Sequence, residues 1–128
     1  MFRTPQVVLF TRHLKRTVAF YTAAGFREVS RVPAGDDPSH VDLELDGCRL
    51  GLSTARSTRE EHWLDPVTSG QRAAVVLWTD DAGAGFERLV ELGATPLHEP
   101  QPWPDDLLIA WVTDPDGHLV EVVQRVAA

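Results

Sequence analysis

A single cysteine, Cys48, stands among the 128 residues, so no intrachain disulfide can form and a reducing cytoplasm is the expected compartment. No apolar run approaches the ~20 residues of a membrane span. The mixed opening Met1-Phe2-Arg3-Thr4-Pro5 does not read as a targeting segment, so neither membrane nor export is expected. Lysines and arginines form no cluster, and the formal net charge is −7. A nucleic-acid partner, which needs a basic face to replace counterions, is therefore excluded. That charge favours a cationic ligand if any ligand is charged, or serves only solubility.

Several motifs are also missing. No His-x-x-x-His or paired Cys/His spacing supports a zinc site. Gly83-Ala84-Gly85 lacks the third glycine of a dinucleotide fingerprint, because Arg88 stands there. Asp114 and Asp116 lack the downstream glutamate of a calcium loop, and with Pro115 between them they read as a hairpin turn. Cys48 has only Arg49 as an adjacent cation, too little to activate a thiolate. His13 and His118, at an element start and in a turn, are expected to be solvated; His62 falls in a connecting segment and His98 near a strand end.

What is present is a globular composition, 43% hydrophobic and 24% charged. The length suits one domain, 1–128, whereas either half alone would be marginal. The halves also resemble each other. Leu9-Phe10-Thr11 returns as Leu77-Trp78-Thr79, 68 residues on, and Gly25 returns as Gly93 at the same offset. Asp46-Gly47 returns as Asp116-Gly117 at an offset of 70, and Leu50 and Leu52 then match Val120 and Val122. Between those pairs, Gly51 matches Glu121.

The periodicities give the order of elements. Val7 to Phe10 is β-prone, and Leu14, Val18 and Tyr21 mark a helical stripe ended by Gly25. Phe26 to Val32 reads as a strand. In His40 to Asp46, Val41, Leu43 and Leu45 alternate with His40, Asp42 and Glu44, and Arg49 to Ser53 returns after the turn. Residues 1–55 are thus a β-α-β-β-β module. Residues 56–71 read as a linker, with at most one helical turn around Glu60 to Leu64, and with Trp63 either a lid or a hydrophobic anchor. Residues 72–128 repeat the order. Ala73 to Trp78 is a strand, and Phe86, Leu89 and Val90 line a helix capped by Asp80 or Asp81. Thr95 to His98 is a short strand, Pro100, Pro102 and Pro104 surround Trp103 in a rigid loop, and Leu107 to Val112 with Leu119 to Val123 form a final hairpin.

Thr17-Val18-Ala19-Phe20-Tyr21 before Gly25-Phe26, Gly93-Ala94 after an amphipathic helix, and Asp114-Pro115-Asp116-Gly117-His118-Leu119-Val120-Glu121 together resemble the vicinal-oxygen-chelate superfamily of glyoxalases, bleomycin-resistance proteins and extradiol dioxygenases. The resemblance spans nearly the whole chain. It implies an α+β fold of two tandem βαβββ modules whose curled mixed sheets form a cleft, usually completed in a homodimer. It also implies divalent-metal ligands at symmetric points, on the first and last strand of each module. Those points fall on Gln6, Gly51, Ala74 and Glu121, and only Glu121 is a standard ligand. No metal or other cofactor is therefore expected, although Glu121 with non-standard ligands remains the alternative.

Without a metal, Glu121 has three readings: a carboxylate that contacts a ligand, a general base, or a structural group bonded to Gln6 or Arg72. Alternation along the strands puts Gln6, Val8 and Phe10, then Ala74, Val76 and Trp78, on the cleft side with Glu121. His40, Asp42 and Glu44 form a polar row, with Arg49 and Ser53 beside Gly51. Gly51 and Ala74 leave volume where larger ligand side chains would stand, and Trp78, Trp103 and Trp111 offer rings for stacking. The expected function is metal-free binding of a flat or cationic organic molecule by a cytoplasmic homodimer. The alternatives are a metal-dependent lyase or dioxygenase, and a metal-free isomerase or epimerase with Glu121 as base.

Overall fold

The computed structural model describes residues 1–126. The chain divides into two compact modules, Met1–Ser69 and Gly70 onward. The first holds β1 (Val7–Thr11), α1 (Leu14–Ala24), β2 (Arg27–Val32), β3 (His40–Leu45), β4 (Cys48–Thr54) and α2 (Ala55–His62). The second holds β5 (Ala74–Trp78), α3 (Ala82–Glu91), β6 (Thr95–Trp103), β7 (Leu107–Thr113) and β8 (Leu119–Arg125). Each module has one four-stranded sheet, ordered β1-β4-β3-β2 and β5-β8-β7-β6. In each, the first strand runs parallel to the last, and the other pairings are antiparallel. The doubled sequence is thus a doubled α+β topology.

Local chemistry starts and stops the helices. Before α1, the Thr11 hydroxyl accepts from the His13 amide and pairs with the Thr17 hydroxyl, which also meets the His13 carbonyl. With those partners Thr17 can be buried, so the covered stripe is Leu14, Thr17, Phe20 and Tyr21. The expected Val18 lies at its half-buried edge. Gly25 ends α1 at a φ of 127°, which a side chain would resist, and the Phe26 amide closes back on the Tyr21 carbonyl. In α3 the Asp81 carboxylate caps the Ala84 amide, and Ala82, Phe86 and Leu89 are buried.

Three segments differ from the sequence reading. The linker start is helical: α2 runs Ala55–His62, with the Thr54 hydroxyl capping the Ser57 amide and Ala55 and Thr58 buried. Its polar composition hid it, since only two small residues are covered. Trp63, which ends α2 in a left-handed conformation, is 87% exposed. So exposed, it anchors nothing within its module. Finally, the proline-rich segment belongs to β6, which runs nine residues to Trp103. As the edge strand of its sheet, β6 tolerates Pro96, Pro100 and Pro102, and register shifts absorb the misfit.

In each module the helix covers one face of the sheet. Val41, Leu43, Leu50 and Leu52 are buried in module one, where α1 contacts β3 and β4. Ala110, Val112, Val120 and Val122 are buried in module two, where α3 contacts β6, β7 and β8. The Gln124 side chain, accepting from the Ala82 amide, marks the same face. The remaining residues of each strand project from the other face by the two-residue period.

Candidate functional site

On the face of module one away from α1, the register sets three lateral rows. Val8, Gly51, Asp42 and Ser30 form one, Phe10, Ser53, His40 and Val32 the next, and Arg49, Glu44 and Arg27 a third. The middle of this face is a hydrogen-bond network centred on Asp42. One carboxylate oxygen accepts from the Gln6 amide at 3.0 Å and meets the His40 Nε2 at 2.7 Å, and the other accepts from the Ser30 hydroxyl at 3.0 Å. The second His40 nitrogen, Nδ1, pairs with the Ser53 hydroxyl. Glu44 sits between Arg27 and Arg49 at 3.4 and 3.7 Å. These last pairs are exposed enough to contribute little to stability.

Burial works to raise the Asp42 carboxyl, but the hydrogen bonds from His40, Gln6 and Ser30, with the attraction of His40, outweigh it and hold it below its ordinary value. Glu28 is also held low, chiefly by its hydrogen bond from Arg31. A carboxyl whose folded value is depressed adds stability that is full above its unfolded value, near 4, and is lost as pH falls through the folded value. Urea midpoints measured from about pH 6 to pH 2 should therefore fall at the acid end. The Asp42→Asn variant should show a shallower fall than the wild type; parallel acid limbs would remove Asp42 from the account.

Gly51 has a definite steric role here. A Cβ added to it would lie 3.0 Å from the Gln6 Nε2, 3.1 Å from the Asp42 Oδ1 and 3.1 Å from Val8. The volume expected to be vacant above Gly51 is instead filled by Gln6 reaching across to Asp42. A side chain there would press on both partners of that hydrogen bond and force them to shift by a few tenths of an ångström.

In module two the corresponding position carries Glu121. Its row is Val76, Glu121, Trp111 and His98, and the next is Trp78, Val123, Ile109 and Gln101. Trp103 pairs with Leu107, which pairs with Arg125, so all three tryptophans project from the face away from α3. Val76, Trp78 and Trp103 are 49, 59 and 63% exposed, and the Arg125 guanidinium stands over the Trp78 ring at 5.6 Å. That distance is within cation–π range. Glu121 is half-buried in this apolar setting, and no hydrogen bond or ion pair engages it among the described residues of its module.

Within module two, Arg72 is exposed and makes no bond to Glu121, which removes one of the two partners expected for a structural role. His118, expected in solvent, is corrected: it is mostly covered, with its Nδ1 at 2.7 Å from the Asp114 carboxylate. Ala74 begins β5 and is exposed. Sequence reasoning missed Ser30 and Arg125. A bulge between Glu28 and Ser30 breaks the alternation that would have placed Ser30, and Arg125 ends its strand with no pattern after it.

The donors at the four symmetric positions do not fit a divalent ion. Module one offers the neutral amide of Gln6 and nothing from Gly51, and module two offers Glu121 and nothing from Ala74. Among the described residues, no group of three or more His, Cys, Asp or Glu is arranged to hold a metal. No helix among them is long and apolar enough to cross a membrane.

Two βαβββ modules with unclosed mixed sheets define the glyoxalase-type class of α+β proteins. The family model described as Glyoxalase/Bleomycin resistance protein/Dioxygenase superfamily matches residues 3–122, and the chain belongs to that superfamily. Hypothetical protein SA1046 from S. aureus shares the fold with a TM-score of 0.81 at 19% identity, over 97% of this chain and 95% of that one. A glyoxalase/bleomycin resistance protein/dioxygenase from Nocardioides aligns with a TM-score of 0.78 at 23% identity, over 100% and 86%. TioX from Micromonospora sp. ML1 aligns with a TM-score of 0.75 at 25% identity, over 97% and 100%. No curated protein matches the chain.

Proposed function

We propose that this superfamily member binds a flat, cationic organic molecule, without a divalent metal, on the tryptophan face of module two. The observation that carries the reading is the setting of Glu121: a half-buried carboxylate without a partner in its module, laterally beside Trp111 and one row from Trp78. A lone carboxylate on an apolar surface is costly unless something meets it, and a cation does so directly. Flat rings with exposed faces add stacking and cation–π attraction. Arg125 stands over the Trp78 ring, the contact that a bound cation would take up in its place. The net charge of −7 draws a cation toward the protein as a whole.

Binding without turnover would sequester such a molecule, as the bleomycin-resistance part of the family name suggests, and the working form is proposed to be a cytoplasmic homodimer. Tryptophan fluorescence titrated with a panel of cationic aromatic antibiotics tests the reading. At least one compound should quench at micromolar concentration. Glu121→Gln and Trp78→Ala should each weaken that binding about tenfold or more, the loss of about 1.4 kcal/mol or more. Silence across the whole panel, or binding indifferent to both substitutions, would overturn it.

A further inference from the structure

Module one holds a second arrangement that the binding face does not use. Ser53, His40 and Asp42 form a continuous hydrogen-bonded chain, Oγ to Nδ1 and then Nε2 to Oδ1, the last at 2.7 Å. Two adjacent strands build it. His40 and Ser53 are register partners across β3 and β4, and Asp42 follows His40 by two residues, so all three project from one face. The chain is partly open to solvent, with the His40 and Asp42 side chains 29 and 17% exposed. We propose that Ser53 is a nucleophile, with His40 as its general base and Asp42 as the positioning residue, and that it is acylated by activated esters.

The chemistry follows from which atom faces which. Asp42 also accepts from Gln6 and Ser30, bonds that favour its anion, and an anion at Nε2 must receive a proton. The imidazole proton is therefore fixed on Nε2, and Nδ1 is left as a lone pair facing the Ser53 hydroxyl. The two ring nitrogens have exchanged the roles they play in the familiar Ser-His-Asp triad, but a triad is defined by roles and geometry. Ser53 Oγ attacks the acyl carbon while its proton passes to Nδ1, and the ester C–O bond breaks with its electron pair leaving on the alcohol oxygen. That oxygen takes up the proton. Water, deprotonated by the same nitrogen, then hydrolyses the acyl-serine to the acid and restores Ser53.

The fold also sets the substrate class. β4 is an interior strand, hydrogen-bonded to β1 on one side and β3 on the other. Its amides are committed to the ladder and offer no oxyanion hole at Ser53. Losing such stabilisation costs about 10²–10³ in rate. The carbonyl must therefore be electrophilic already and the leaving group good, which selects aryl esters over alkyl esters and amides.

Incubation with p-nitrophenyl acetate tests this. The purified protein should release a burst of p-nitrophenolate, with one acetyl group mapped by mass spectrometry to Ser53 and absent from Ser53→Ala. His40→Ala should slow acylation about a hundredfold or more, and added imidazole should restore part of the rate. That rescue separates a chemical role from a folding defect. For Asp42, nitrogen NMR of the neutral imidazole should show the proton on Nε2 in the wild type and a mixture of the two tautomers in Asp42→Asn. Acetyl groups only on Lys15 or Cys48, or a Ser53 adduct forming as fast in His40→Ala, would overturn the proposal.

Discussion

Asp114→Ala is expected to destabilise the protein by about 3–5 kcal/mol, at the upper end of what a single substitution does. The Asp114 carboxylate is buried at the mouth of the β7–β8 hairpin. One oxygen accepts from the amides of Asp116 and His118 at 2.9 and 3.0 Å, and the other meets the His118 ring at 2.7 Å. The backbone adds its own closures, from the Asp114 amide to the His118 carbonyl and from the Gly117 amide to the Asp114 carbonyl. Alanine would keep the backbone closures and strand both side-chain-satisfied amides in a covered turn. Each stranded group costs about 1–3 kcal/mol, more where the lost partner is charged. Asp114→Asn should cost much less, because its oxygen still accepts from both amides. Urea unfolding at constant slope measures both variants; an alanine variant no weaker than the asparagine one would refute the account.

Tyr21→Ala is expected to cost a similar amount, about 3–5 kcal/mol, by a different route. Tyr21 is fully buried in α1, and its ring meets Phe20 at 5.0 Å and Phe26 at 5.6 Å, both edge to face. Truncation removes the transfer energy, leaves a cavity and breaks two aromatic pairs worth about 0.5–1.5 kcal/mol each. Because Phe26 directly follows the Gly25 terminator, the loss should also loosen the exit from α1. The thermal midpoint should fall by about 10 °C or more for a chain of this size. Tyr21→Leu, which refills part of the space, should recover a substantial share. A midpoint within a few degrees of wild type for the alanine variant would show that the cluster contributes little.

Much of this architecture was legible because side-chain period and element type agree. The alternation in His40–Leu45 fixed which residues share the Asp42 face, and the matched offsets placed Gly51 and Glu121 at equivalent positions. What escaped notice depended on partners distant in sequence. Nothing local shows that Gln6 will cross Gly51 to reach Asp42, 36 residues away. A glycine there reads as an absence, whereas in space it is clearance for that bond. His118 looked solvated because turns usually are, yet the aspartate four residues earlier holds it. The prolines of β6 argued against a strand only because its edge position could not be foreseen. Helix α2 escaped for the opposite reason, a polar surface with too small a covered face to leave a period.

Those prolines carry one more consequence, for how copies of this chain can meet. A proline stays in a ladder only where its nitrogen points away from the neighbouring strand. With Pro96, Pro100 and Pro102 along β6, the outer rim of module two is therefore poor in the donors that an incoming strand would need. Module one guards its β2 rim differently, with the charges of Arg27, Glu28 and Arg31. Both exposed rims formed by antiparallel pairing thus resist strand-by-strand growth into aggregates.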